Sequence, residues 1–247
     1  MISRRGLIAA APAGLLLAGC DRLNRSAGWR AMLESGEDLH KGAQRLLGGD
    51  ALAREFRPDQ MSPVFRMNGN TSVADPVYRA HAAQGFAQWA LAVDGLVRRP
   101  LRLPLSALKA MPQRRQITRH DCVEGWSAIG QWQGPQLAGV LALAGVLPAA
   151  RYAVFHCADS FGTRPYYESI DLHDALHPQT ILAWAMNGAP LSEGHGAPLR
   201  LRVERQLGYK HAKFVMRIEL ADSLARFYGG KGGYWEDAGA YAWYAGI

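Results

Sequence analysis

The residues best suited to chemistry lie in one short run, Arg119-His120-Asp121-Cys122-Val123-Glu124-Gly125-Trp126-Ser127. A thiolate is both a nucleophile and a soft metal ligand, and neighbouring cations favour that form of cysteine. Arg119 and His120 stand where they could supply the charge. The strand-like Arg115-Gln116-Ile117-Thr118 leads into the run, and Gly125-Trp126 lets the chain turn beside a large wall. Two chemistries are open here: a metal-ligating thiolate, or a thiol hydrolase with His120 as base. A half-buried structural cysteine is the plain alternative. Residues 120 and 122 share one side of a strand, and no evident third member orients the imidazole.

Three further loops carry groups that could converge on Cys122. Asn68-Gly69-Asn70 offers amide and backbone donors, and Glu193-Gly194-His195-Gly196-Ala197-Pro198-Leu199-Arg200 offers an imidazole and a guanidinium. Gly208-Tyr209-Lys210-His211-Ala212-Lys213 places three cations in four residues. Arginine, lysine and histidine from separate loops suit a buried phosphate, because charged hydrogen bonds offset its desolvation.

The elements that must hold these loops can be read from periodicity. Trp29, Met32, Leu39, Ala43 and Leu46 keep helical spacing up to Gly48-Gly49, and a second helix is expected over Ala51–Phe56, capped by Asp50. The two form an arm, expected to pack on the main body. Strands are expected over Trp89–Val93, Tyr152–Cys157, Ile181–Met186, Leu199–Val203 and Phe214–Leu220. Helices are expected over Ser106–Met111, Leu137–Val146 and Leu172–Leu176. Short strands, few helices and many turns predict an α+β fold with a mixed sheet. The tail from Gly229 to Ile247, rich in Gly, Tyr and Trp, is expected to lie over the surface of the fold.

Composition narrows the class. Hydrophobic residues at 49% and charged ones at 20% describe an ordinary soluble globular protein, and 247 residues can bury one sizeable core or two small ones. The formal charge is +7 without a Lys/Arg tract, which suits small anionic ligands rather than nucleic acid. Ser3-Arg4-Arg5-Gly6-Leu7-Ile8 is a twin-arginine opening to a short apolar run from Ala9 to Ala18. That run is too short for an ordinary spanning helix. It ends in Leu17-Ala18-Gly19-Cys20, which resembles a bacterial lipobox with Cys20 as the lipidated residue. Twin-arginine export moves folded proteins, often with a cofactor already inserted. Cys122 and Cys157 remain, as a disulfide or with at least one protected by a ligand. No Cys-x-x-Cys-His occurs, which excludes covalent c-type haem within this chain.

Taken together, the motifs resemble the sulfite oxidase family of molybdenum enzymes, particularly its periplasmic methionine-sulfoxide reductase branch. The resemblance runs from Phe65 to Ile247 and rests on His120-x-Cys122-Val123-Glu124-Gly125-Trp126-Ser127, His195-Gly196-Ala197-Pro198-Leu199-Arg200, Gly208-x-Lys210-x-x-Lys213 and Gly233-Tyr234-Trp235-Glu236. It implies a sulfite-oxidase-like molybdopterin-binding fold over 65–247, after a signal at 1–20 and an arm at 21–64, without the C-terminal dimerisation domain. Cys122 would be the molybdenum ligand beside one molybdopterin. Asn68, Asn70, Cys157, His195, Arg200, His211 and Lys213 would bind the cofactor, with His211 and Lys213 on its phosphate. Tyr166 or Tyr167, with Arg164, would touch substrate. Met67 stands where sulfite oxidases carry an oxyanion-binding arginine, and Arg66 is one residue off. The resemblance therefore implies a monomeric, periplasm-facing, lipid-anchored enzyme acting on a small S- or N-oxide, with a separate cytochrome or membrane haem partner. Sulfite oxidation on the same fold and a metal-free scaffold are the competing readings.

Overall fold

The computed structural model describes residues 26–239 and 241–247. They divide after Gly49 into two units. The expected leader, with Arg4, Arg5 and Cys20, lies outside the described residues. In the first unit, helix α1 (Ala27–Gly48) starts where the Ser26 hydroxyl accepts from the Trp29 N–H and stops at Gly49, whose φ is 48°.

The second unit, Asp50–Ile247, holds every element that positions the site. In chain order these are α2 (Pro76–Ala83), β1 (Ala90–Gly95), β2 (Leu101–Pro104), α3 (Leu105–Ala110), β3 (Gln113–Asp121), β4 (Ser127–Pro135), α4 (Leu137–Ala144), β5 (Tyr152–Phe161), β6 (Arg164–Asp171), α5 (Leu172–Ala175), β7 (Ile181–Ala183), β8 (Ala185–Met186), β9 (Ala189–Pro190), β10 (Arg200–Arg202), β11 (Val215–Ala221) and α6 (Tyr234–Gly239). The strands form sheets ordered β2-β1-β11-β5-β6, β3-β4-β8-β9 and β10-β7. Only β1 with β11 runs parallel among these pairs, so the larger sheet is mixed, as expected for an α+β fold. Its core is built by fully buried Leu91, Val93, Phe155 and Ile218 from the strands and Leu137 and Leu141 from α4. A second core gathers around Trp132 on β4.

Three expectations need correction. Ala51–Phe56 is extended rather than helical: Phe56 N–H donates to Ile117 O at 2.8 Å, and Glu55 bridges Thr118 on β3. Six residues make a marginal helix, whereas the edge of β3 supplies ready backbone partners. Of the residues expected to form the 21–64 arm, 27–48 form α1 in the first unit, and those from Asp50 onwards, extended apart from a single turn at Pro58–Gln60, belong to the second unit. The strand expected over Ile181–Met186 breaks at Trp184, whose N–H donates to Gln133 O at 3.0 Å, so β7 and β8 serve different sheets. The tail does not merely cover the fold: Tyr244, Ala245 and Glu236 are buried within it.

Glu236 explains how the tail is held. Lys210 is fully buried and donates to Glu168 on β6 and, at 2.6 Å, to Glu236 on α6. Burial opposes the ammonium charge, but the two carboxylates outweigh it and hold the lysine pKa above its ordinary value. Burial, with repulsion from Glu236, pushes the Glu168 carboxyl well up. Removing the cation would leave two carboxyls in a dry site. Lys210→Met should lower the unfolding free energy by about 3–5 kcal/mol in denaturant titration. A loss below about 1 kcal/mol would show that the tail is held by its apolar contacts instead.

Candidate active site

The β3–β4 hairpin ends in a tight turn that presents Cys122. Asp121 pairs with Ser127, Cys122 N–H donates to Trp126 O at 2.9 Å, and Gly125 N–H donates to Cys122 O at 3.0 Å. Gly125 sits at φ 86°, a conformation that a side chain resists. The turn opens on a cavity of about 120 Å³ that Cys122 lines with Asn68, Asn70, Asp159, Tyr166, His211 and Lys213. Phe161, Tyr209, Trp235 and Tyr241 give it aromatic walls.

The cations expected to activate Cys122 are engaged elsewhere. Arg119 pairs with Asp121 at 2.9 Å. His120 is buried and its Nδ1 accepts from Arg202 at 3.0 Å, since a guanidinium can only donate. Burial, then repulsion from Arg202 and Arg200, holds that imidazole neutral. Burial pushes the Cys122 thiol up, against backbone hydrogen bonds from Glu124 and Val123 that favour its thiolate. A hydrolase needs a base that can take the thiol proton. His120 has its acceptor nitrogen committed to Arg202, so the Cys–His hydrolase reading loses its geometry. In a metal site the metal itself deprotonates the thiol.

Behind the cavity wall lies a cluster of buried cations. Arg200 on β10 is 1% exposed, and its terminal nitrogens donate only to the His195 and His211 carbonyls, at 3.1 and 3.5 Å. Its Nε has no partner. Burial, with repulsion from Arg202, lowers its pKa to about 9. Both guanidiniums lie over the Trp132 ring, at 4.9 Å for Arg200 and 4.2 Å for Arg202. Arg202 has Glu204 at 2.9 Å, whereas Arg200 has no carboxylate partner of its own. Lys213 donates to Asn68 O at 2.7 Å, Gly194 O at 2.9 Å and Asn70 O, and burial lowers its pKa to about 7.

The histidines divide by tautomer. His211 donates from Nε2 to Gln206 O at 3.0 Å, which leaves Nδ1 a buried, unpartnered acceptor. It stays neutral, held well below its ordinary pKa by burial and by Arg202. The phosphate role expected for it would require a proton on Nδ1, which a neighbouring anion would favour. His120 presents the opposite group, a buried Nε2 donor without a partner. Sequence reasoning missed its place in this cluster. A Cβ at Gly208 would lie 2.5 Å from that nitrogen, so only glycine fits against the ring.

Other expected residues separate. Strand alternation turns Tyr166 into the Cys122 cavity, with its hydroxyl donating to Tyr209 O at 2.8 Å. Tyr167 faces the other way, into a different pocket with Arg164 and Tyr228, and its hydroxyl donates to Asp237. Tyr167 and Arg164 are thus not brought to Cys122. Cys157 lines a neighbouring cleft with Asp159 and Met216, and both cysteines are free thiols. His195 stands outside the cavity, its ring bonded to Ser192 at 2.9 Å and Phe65 O at 3.3 Å. Asp159, Trp235 and Tyr241 were not singled out as site residues beforehand. The Gly233-Tyr234-Trp235-Glu236 motif was the one signal that pointed towards them.

The α+β fold thus gathers one thiol and two buried cations that hydrogen-bond only to carbonyls, among the described residues, around a partly open cavity with aromatic walls, an arrangement suited to an anionic cofactor. The chain belongs to the oxidoreductase molybdopterin-binding domain family, which matches it over residues 78–228, and is a molybdenum-dependent oxidoreductase of the sulfite oxidase type. It is 39% identical over 198 residues to YedZ1 of Azospira oryzae, by name a protein-methionine-sulfoxide reductase subunit, a match spanning 77% of this chain and 70% of that one. It is 37% identical to the protein-methionine-sulfoxide reductase catalytic subunit MsrP of Gluconobacter oxydans, over 54% of this chain and 47% of that one. The fold is similar to that of the sulfane dehydrogenase SoxCD from Paracoccus pantotrophus, with a TM-score of 0.52 and 20% identity, over 70% of this chain and 46% of that one.

The residues fit the molybdenum cofactor. The unpartnered Arg200 Nε and His120 Nε2 are donors and His211 Nδ1 is an acceptor, all buried and lacking a partner that a polar ligand supplies. The excess positive charge of Arg200 and Lys213 suits a phosphate, and the Cys122 sulfur suits a soft metal.

Lys213 gives a pH test on the cofactor-free chain. Its folded pKa of about 7 lies below the ordinary 10.5, so between those values the unfolded state binds more protons. Stability should therefore rise with pH across that window. Lys213→Met should flatten the rise in urea titrations at stepped pH. A rise of equal slope in the variant would assign it to other groups.

Proposed function

We propose that this chain reduces a small neutral S-oxide, of the methionine sulfoxide type, with electrons from a separate one-electron partner. The charge state of the Cys122 cavity carries the reading. Its walls carry aromatic rings, amides and two carboxylates, Glu124 and Asp159, and its one ammonium, Lys213, is already held by three backbone carbonyls. Met67 packs its sulfur against Gly194, Arg119 is paired with Asp121, and Arg164 lies in another pocket. A sulfite dianion would find no free guanidinium on these walls, whereas a neutral oxide needs none. The names of YedZ1 and MsrP support the same substrate class.

In this reading a molybdenum centre held by one pterin would supply the redox chemistry of oxygen transfer. The chain's part is placement and exclusion of water. Cys122 ligates the metal from the hairpin turn, and Asn68 and Asn70 approach from a loop that Lys213 clamps. Arg200 would donate to the phosphate and Lys213, its hydrogens on three carbonyls, would add only its charge, while Tyr166, Trp235 and Tyr241 would line the substrate's place. A haem-bearing membrane subunit is the partner that fits such one-electron exchange, and the chain acts as a monomer beside it. Holoenzyme should reduce methionine sulfoxide with a reduced dye and oxidise sulfite poorly. Cys122→Ser should abolish turnover, and its molybdenum absorption spectrum should lose one sulfur neighbour. Efficient sulfite turnover without oxide reduction would overturn the substrate, and an unchanged sulfur count would overturn the ligand.

The Arg4-Arg5 pair and Leu17-Ala18-Gly19-Cys20 support a periplasm-facing, lipid-anchored location. Cys20→Ala should release the protein from washed membranes or leave it unprocessed. Processed wild-type protein found free in the periplasmic fraction would refute the anchor.

A further inference from the structure

Oxide reduction consumes protons, and one carboxyl stands where a proton must pass. Asp159 near the end of β5 is 5% exposed, and it lines both the Cys122 cavity and the neighbouring, more open cleft of about 540 Å³. Its two oxygens are treated differently. Asn70 Nδ2 donates to Oδ2 at 2.9 Å, while Oδ1 is buried with no partner. Natural proteins rarely leave a buried carboxyl oxygen unpaired without a use for it. We propose that Asp159 carries protons from the outer cleft into the Cys122 cavity and is the acid that protonates the departing oxygen. The proposal rests on the oxide-reductase reading above.

The step balances as follows. The S–O bond of the oxide breaks, sulfur is reduced by two electrons supplied singly by the partner, and oxygen leaves as water with two protons. Asp159 gives one proton as its O–H bond breaks, regains one from water in the cleft, and gives the second. Such a donor must be stable in both forms. Burial raises its pKa, whereas Asn70 and Lys213 favour the anion that donation leaves behind.

The other groups that face it are poorer donors. Tyr78 on α2, Cys157 on the same strand and Tyr166 on β6 are all raised by burial. Lys213, at about 7, gives its hydrogens to carbonyls. His211 shows the cavity a bare acceptor. Tyr209 donates to Ala242 O at 2.6 Å. Glu124 is exposed and accepts from Trp126 at 2.9 Å. Asp75 lines the outer cleft alone and stands at the entry side of the path.

The test compares wild-type, Asp159→Asn and Asp159→Glu holoenzymes. Asp159→Asn should retain molybdenum and pterin and lower kcat for methionine sulfoxide about 10²-fold or more, with KM little changed. Wild-type turnover should fall as pH rises through the raised carboxyl pKa, and the asparagine variant should lack that limb. Asp159→Glu should recover both. Infrared difference spectra read the carboxyl without turnover: a protonated C=O band should titrate away with rising pH in wild type and be missing in Asp159→Asn. Wild-type kcat and pH limb in the asparagine variant, loss of its pterin, or absence of the band in wild type would each overturn the proposal. If wild type turns over sulfite and no oxide, the substrate reading fails by itself; sulfite oxidation releases protons, so the Asp159-dependent limb should then be a fall of turnover at low pH, present in wild type and missing in Asp159→Asn.

Discussion

Positive charge buried without carboxylates is the constraint on which the site depends. Arg200 and Lys213 are held by carbonyl oxygens alone, which solvate a cation but do not neutralise it. Their lowered pKa values express that cost. The Trp132 ring relieves part of it by lying under two guanidiniums. Arg200 and Arg202 both project from β10, which pairs only with β7, and β7 exists because the chain breaks at Trp184 to join two sheets. The topology of the second core is thus tied to the place where an anionic ligand would be held.

A second buried cation works in the opposite sense. Lys210 is matched by two carboxylates, and the match closes the fold rather than binding a ligand. It lies three residues before Lys213 in one loop, so a single turn of chain supplies both a tail anchor and a site cation. Because Glu236 stands on α6 beside Trp235, fixing the tail also fixes one aromatic wall of the Cys122 cavity. The shape of that wall therefore depends on the buried ion triad of Lys210, Glu168 and Glu236.

Enclosure creates the need for a proton path. A cavity with aromatic walls and neutral histidines has few groups that can exchange with solvent. In the proposed oxide reduction, Asp159, shared between cavity and cleft, would link the reacting oxygen to solvent protons. The same reasoning explains why Cys122 needs no activating base. Arg119 and His120 are engaged with other partners, and a metal bound at Cys122 would deprotonate the thiol itself.

What the sequence determined by itself was composition, order and local pattern. The α+β class, the long N-terminal helix ending at Gly48-Gly49 and the core strand around Val154-Phe155 follow from periodicity that tertiary contacts did not override. The family also follows from the sequence, because the Cys122, Arg200 and Lys213 motifs occur in fixed order with chemically unusual contents. Tertiary structure decided the rest for physical reasons. Ala51–Phe56 gave up helix for pairing on the edge of β3. Glycines and Pro135 hid β4, though the sheet needs small residues there. Adjacent tyrosines at 166 and 167 could not be told apart until β6 gave them opposite faces. The charge states of Cys122, His120 and Lys213 depend on burial and on partners distant in sequence. The place of Asp159 between two cavities arises only when β5, the Asn70 loop and the Lys213 loop meet.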